Sequence, residues 1–166
     1  YHEAESIVQT CCLKTHAYGG HFTLSLKNSV GLVPLKGYTY MNELHSSPYQ
    51  RQMIAEINTA YSPDLVVMDG VEAFVDGGPD RGTRVEAGVM LAGTDRVAMD
   101  VVGVAILRLL GTTPEVSRGS IFEQDQIARA AELGLGVSSA KEIQLVTGDA
   151  ESETFAVKVR DILARD

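Results

Sequence analysis

Between Cys11 and Asn28 the chain reads CCLKTHAYGGHFTLSLKN, which brings Lys14, Thr15, His16, His21, Lys27 and Asn28 into one short stretch. Lysine supplies fixed positive charge, histidine carries protons near neutral pH, and hydroxyl and amide groups orient a bound molecule. The polar segment Lys14 to Gly20 follows the apolar run Ile7 to Leu13 and precedes Phe22, Leu26 and Val30, spaced as on one helix face. A loop between a strand and a helix would set these groups beside a helix N-terminus, where unpaired N–H groups favour anions. A phosphate or carboxylate ligand fits, with Lys14, Thr15, Lys27 and Asn28 as binding residues and His16 as a proton carrier. The plain alternative is that the lysines are solvated and the histidines satisfy local backbone groups. His16 and His21 lack the i, i+4 spacing of a helical zinc pair.

A second set follows the run DLVVMDG, Asp64 to Gly70. Ligands of open α/β folds gather outside the carboxyl ends of strands, where Asp69 is expected to stand as a base, a histidine-orienting group or a cation ligand. Gly77 and Gly78, between Asp76 and Asp80, could let a ligand approach the backbone; the same residues also suit an ordinary acidic surface turn. The EF-hand spacing is missing. Asp100 lies on or beside the apolar face of a helix running from Asp95 to Leu110, so its carboxylate needs a partner: a lysine or a backbone N–H. Cys11 and Cys12 are adjacent, and successive strand positions face opposite ways, so buried core thiols are the expectation. No CxxC pair exists for a zinc knuckle or a self-contained iron–sulfur cluster, and the sequence leaves the metal and cofactor unknown.

These residues need strands and helices to hold them. Ile7–Leu13 and Asp64–Gly70 read as buried strands, the latter covered on both faces, and Ala87–Ala92 and Ile143–Val146 as further strands. A short helix is expected within His21–Val30, a long loop over Leu32–Pro48, and a helix from Ser47 and Pro48 to about Tyr61. The segment after Gly70 reads as a loop or hairpin. Thr94 and Asp95 start the strongest helix, which Gly111 ends; Ile121–Leu133 and Glu151–Leu163 contain two more. Strands alternating with helices predict an α/β layered fold with a mostly parallel sheet flanked by helices.

With 166 residues the chain fits a single α/β domain. Its net charge of −8 argues against nucleic-acid binding, which depends on Lys and Arg neutralising phosphates. No apolar run is long enough for a membrane span, and the paired reduced thiols suit the cytoplasm. Because the chain opens on Tyr1 rather than Met, it reads as a processed product or part of a longer protein.

The motifs LKTH (Leu13–His16), LKNSVG (Leu26–Gly31), PDLVVMDG (Pro63–Gly70), GGP (Gly77–Pro79) and DRVAMD (Asp95–Asp100), in that order, resemble the family called domain of unknown function 362. ELGLG, Glu132–Gly136, is similar to its usual ending, so the likeness runs from about Ile7 to Val146. The resemblance implies a domain that begins further upstream, with proline and lysine where this chain has Cys11 and Cys12 and proline where it has Arg96. It also implies frequent linkage to a ferredoxin-like module, and it brings Lys14, His16, Lys27, Asn28, Asp69 and Asp100 forward again. Two functions follow as expectations: a small-molecule, anion- or metal-dependent enzyme domain with its polar site at strand ends, or a non-catalytic accessory module for iron–sulfur or redox partners. Oligomeric state is left open.

Overall fold

A computed structural model describes residues 3–34 and 40–166. Four strands form a sheet in the order β2-β1-β3-β4: β1 is Val8–His16, β2 His21–Thr23, β3 Leu65–Gly77 and β4 Gly82–Gly93. β1 and β3 run parallel, from Val8 opposite Leu65 to Cys12 opposite Asp69. The β1–β2 and β3–β4 pairs are antiparallel. The α/β character is as expected, while the sheet is mixed, with one parallel pairing where a mostly parallel sheet was predicted. Connection length decides this: short turns after His16 and Gly77 permit hairpins, whereas β1 reaches β3 through a helical crossover.

Exposure along the strands alternates with period two. Gln9, Cys11 and Leu13 point into the core, as do Val66, Met68 and Ala73; Thr10, Cys12 and Asp69 point the other way. The covered face carries the helices, and the opposite face of the sheet is open, which corrects the expectation that Asp64–Gly70 is covered on both faces. β3 continues past Gly70 to Gly77, so the predicted loop or hairpin is the hairpin, and the predicted strand Ala87–Ala92 lies inside β4.

The segment expected to be one helix after His21 is β2 followed by a single helical turn, α1 (Ser25–Asn28), and a 3-10 turn, Ser29–Leu32. A helix that short is not stable by itself. Burial of Leu24 and Leu26, both 0 % exposed, and the Asp100 carboxylate at its first turn hold it in place. Within the predicted loop Leu32–Pro48, residues 35–39 lie outside the described ones, and α2 (Tyr40–Ser46) occupies much of the rest. Leu44 anchors it in the core. α3 (Gln50–Ile57) is shorter than predicted and passes into a 3-10 turn, Asn58–Ala60.

α4 (Arg96–Leu110) is the central helix. The Ala98 N–H donates to the Asp95 carboxylate at 2.9 Å, as an N-cap requires, and Gly111 ends it at φ +82°. Gly103 lets α4 approach the sheet, for a Cβ there would stand 2.8 Å from Leu24 and 3.3 Å from Met68. α5 (Pro114–Ser117), α6 (Asp125–Glu132) and α7 (Ala150–Leu163) follow; α6 packs on α3, and α7 on α4. Ile143–Val146, predicted as a strand, has no ladder partner, and Val146 is exposed.

Candidate functional site

The last residue of β1, His16, meets Lys27 of α1. His16 Nε2 and Lys27 Nζ are 3.0 Å apart, and the two residues are 5 % and 7 % exposed. The β1–β2 turn folds over them: a Cβ on Gly20 would stand 2.9 Å from His16 Nδ1 and 3.2 Å from Lys27 Cε, so glycine alone fits this approach. His45 of α2 stacks on the His16 ring with centroids 5.7 Å apart and planes 10° apart, and Tyr18 meets it edge-on at 5.6 Å. Lys14, two residues before His16, donates from Nζ to the Pro79 carbonyl at 3.2 Å.

Burial, assisted by the positive charges of Lys27 and Lys14 and by His45, pulls the His16 pKa down to about 3. His16 is therefore neutral at physiological pH. Burial and the neighbouring Lys14 bring Lys27 down to about 8. Among the described residues, no carboxylate forms an ion pair with Lys14 or Lys27; every ion pair in the described chain is made by an arginine. In a chain with net charge −8, these are two lysines close to the end of β1 that no described carboxylate ion-pairs.

The other residues singled out in the sequence are spread around this centre. Thr15, His16, His21 and Gly77 line one cleft with Asp76, Thr113 and Glu115. Thr15 itself donates to the Phe74 carbonyl at 3.2 Å, tying β1 to β3. His21 sits at φ +61°, and its buried Nδ1 has no hydrogen-bond partner among the described residues. Lys14 and Asp69 share a different hollow, on the open face, with Cys12, Glu72, Phe74 and Arg84. Asp69 lies within β3, not at its end, because the strand runs on to Gly77; its Oδ1 accepts from the Val71 N–H at 2.9 Å.

Gly77 and Gly78 form the β3–β4 turn. The Gly78 carbonyl accepts from the Ala17 N–H at 3.2 Å, and a Cβ on Gly78 would stand 2.2 Å from the Thr15 carbonyl oxygen. Gly78 is thus required for the turn to lie against the end of β1. Asn28 is exposed at the end of α1. Asp100 is fully buried and accepts from the Leu26 N–H at 3.2 Å and from Gln126 Nε2 at 2.9 Å. One partner is a backbone N–H, as one of the two alternatives raised by the sequence had it, and that bond fixes the turn of helix that carries Lys27; the Gln126 amide is a partner the sequence did not point to. Burial raises the Asp100 pKa to about 7 against the opposing pull of those donors.

Several contributors were not legible in the sequence. His45 lies in the segment read as loop; the Tyr40/Leu44 spacing was the available helical signal. Beneath α1 a buried network joins Ser29, Asn58, Tyr61 and Gln9, with Asn58 Nδ2 donating to the Leu26 carbonyl at 2.9 Å. Arg96 closes it, donating to Asn58 Oδ1 at 2.7 Å and to the Tyr61 carbonyl at 2.8 Å, with its guanidinium over the Tyr61 ring. Cys11 is buried and Cys12 exposed, and both are free thiols. Burial pushes the Cys11 thiol far above its usual range, as a core thiol requires. No group of three or more His, Cys, Asp or Glu among the described residues is arranged to hold a metal.

Residues 1–105 match the family described as domain of unknown function 362, DUF362. The chain belongs to this family. The match takes in Lys14, His16, Lys27, Asp69 and Asp100 and ends within α4, so the likeness noted at Glu132–Gly136 lies outside it. The chain is similar to a protein from Synechocystis sp. (strain ATCC 27184 / PCC 6803 / Kazusa), the thylakoid-associated protein sll1697, to which it is 32% identical over 109 residues. The alignment covers 64% of this chain and 34% of that protein, so the chain spans about a third of its relative's length. No solved structure matches the chain. No helix among the described residues is long and apolar enough to cross a membrane.

Proposed function

We propose that this DUF362 chain is an enzyme domain that binds a small anionic molecule at the end of β1, with Lys14 and Lys27 drawing in the anionic group and His16 handling a proton. The observation that carries this reading is Lys27, 7 % exposed, beside Lys14 and an uncharged His16, with no described carboxylate paired to either lysine. Buried cationic groups without counter-charge are costly to the fold, and an anionic ligand removes that cost. Asp100 acts here through position, since it anchors α1, and Asp69 faces the adjoining hollow beside Lys14. Thr15 and Gly77 border the second cleft, while exposed Asn28 serves only a ligand that extends outward from α1. The free thiols support a reducing, cytoplasmic setting.

Calorimetric titration of the chain with phosphate, oxalate and malonate tests this. Saturable binding of at least one of them is expected, weakened about tenfold or more by Lys14→Met, since loss of one charge-assisted contact is worth about 1.5–3 kcal/mol. No binding by any of the three, in a chain shown to be folded, overturns it.

A second reading rests on the open face of the sheet. Val8, Leu65, Val71 and Met90 are 59 %, 36 %, 53 % and 61 % exposed there, which suits an accessory module that docks an iron–sulfur or other redox partner. Retention of the chain by a reduced ferredoxin column, lost in Met90→Glu, would favour that reading.

A further inference from the structure

β4 is an outer strand of the sheet: β3 pairs with one side of it, and no described strand pairs with the other. It therefore turns a row of backbone N–H and C=O groups away from β3, a template to which a further strand can add. Its sequence, GTRVEAGVMLAG, contains neither the lysine nor the proline that commonly blunts such an edge. The ladder shifts where β3 runs from Gly70 to Glu72 and β4 from Val89 to Glu86, with Gly88 at φ +65°. A bulge of this kind bends the strand, so Gly82–Gly88 is a separate stretch of edge between the bulge and the β3–β4 turn.

The charges on that stretch are unbalanced. Glu86 stands opposite Glu72 in the ladder, and two carboxylates placed so repel. Arg84 donates from Nη1 to Glu72 at 2.9 Å, while Glu86 has no ion pair or hydrogen bond from its side chain among the described residues. The Arg84 side chain is 64 % exposed, so the rest of its guanidinium fork is open to a second carboxylate.

We propose that the Gly82–Gly88 edge pairs antiparallel with the same edge of a second copy of this chain, about a two-fold axis at Val85. That register sets Gly82 opposite Gly88, Thr83 opposite Ala87 and Arg84 opposite Glu86, each twice by symmetry. Each Glu86 then meets the Arg84 of the other copy. Arg84 and Glu86 both lie on the open face, while half-buried Val85 meets its own counterpart on the helix side. Charge also fixes the register: an axis one residue earlier sets Arg84 against Arg84, and one residue later Glu86 against Glu86. The self-complementary charge pattern is what selects a second copy as the occupant of this edge.

The test is analytical ultracentrifugation of the chain across the micromolar range, with circular dichroism confirming the fold of each variant. Wild type is expected to associate reversibly into dimers. Glu86→Arg sets two arginines against each other on either side of the axis, so dimerisation should weaken about tenfold or more. Adding Arg84→Glu to that variant exchanges the two charges and should restore the wild-type affinity. Both variants keep an arginine beside Glu72 within the chain, so neither effect reflects a damaged strand pair. A wild type that stays monomeric overturns the proposal and leaves the edge to a strand of a different polypeptide. Dimers that Glu86→Arg does not weaken, or that the double exchange does not restore, overturn it as well.

Discussion

At the scale of single residues, Asp100 and His16 carry opposite pH dependences. Asp100 is raised from 3.8 to about 7 in the fold, so its protonated form is the stabilising one. That contribution is complete below about pH 4 and is lost as pH rises through about 7. His16 is lowered from 6.5 to about 3, so its neutral form contributes stability that is complete above about pH 6.5 and is lost as pH falls toward 3. The difference between wild type and Asp100→Asn isolates the first effect, since His16 is common to both. The Gln126 side-chain oxygen has no partner among the described residues, and reversing the Gln126 amide would offer it to the new Asn N–H group. Urea denaturation should therefore find Asp100→Asn close to wild type near pH 4 and more stable than wild type near pH 8, by on the order of a few kcal/mol. A parallel pair of pH profiles would contradict the assignment. Asp100→Ala, which strands the Leu26 N–H and Gln126, should lose about 1–3 kcal/mol near pH 4 and less near pH 8, where wild type itself bears the cost of the charged carboxylate.

At the scale of elements, the two hairpin turns build the site, and the turn glycine Gly78 is not equivalent to Gly88, which lies within β4 at its register shift against β3. Gly78 and Gly88 both have positive φ, at +76° and +65°, yet a Cβ would meet the Thr15 carbonyl at 2.2 Å in the first case and nothing within 4 Å in the second. Gly88→Ala should cost only the backbone penalty of about 1–2 kcal/mol. Gly78→Ala must also displace the turn from β1, so thermal unfolding should show the larger loss, with the Ala17–Gly78 hydrogen bond opened to amide exchange. Equal losses would mean that the turn does not bear on β1. The strong helix α4 and its Asp95 cap were legible in the sequence because a wide apolar face and a capping residue are local signals. α1 was not, because one turn of helix exists through contacts with Asp100 and Asn58, distant in sequence and close in space. β3 was read short at Gly70, since nothing local marks that the strand continues through Val71 and Glu72 to Gly77.

At the scale of the whole molecule, an acidic chain lays helices on one face of a mixed sheet and leaves the other face open, with Lys14 and Lys27 placed where β1, α1 and the β3–β4 turn meet. Lys14, His16 and Lys27 were legible as candidates from residue type and order alone. That His16 and Lys27 touch, and that Asp69 stands apart on the open face, depended on strand register and on where α1 turns, which no local pattern encodes. The most direct measurement is a pH titration of the lysine side chains by NMR, with the Cε signals assigned through Lys14→Arg and Lys27→Arg, run with and without oxalate. The account predicts that Lys27 titrates near 8 in the empty chain and moves upward when oxalate binds. A Lys27 that titrates like the exposed lysines and ignores oxalate would contradict it.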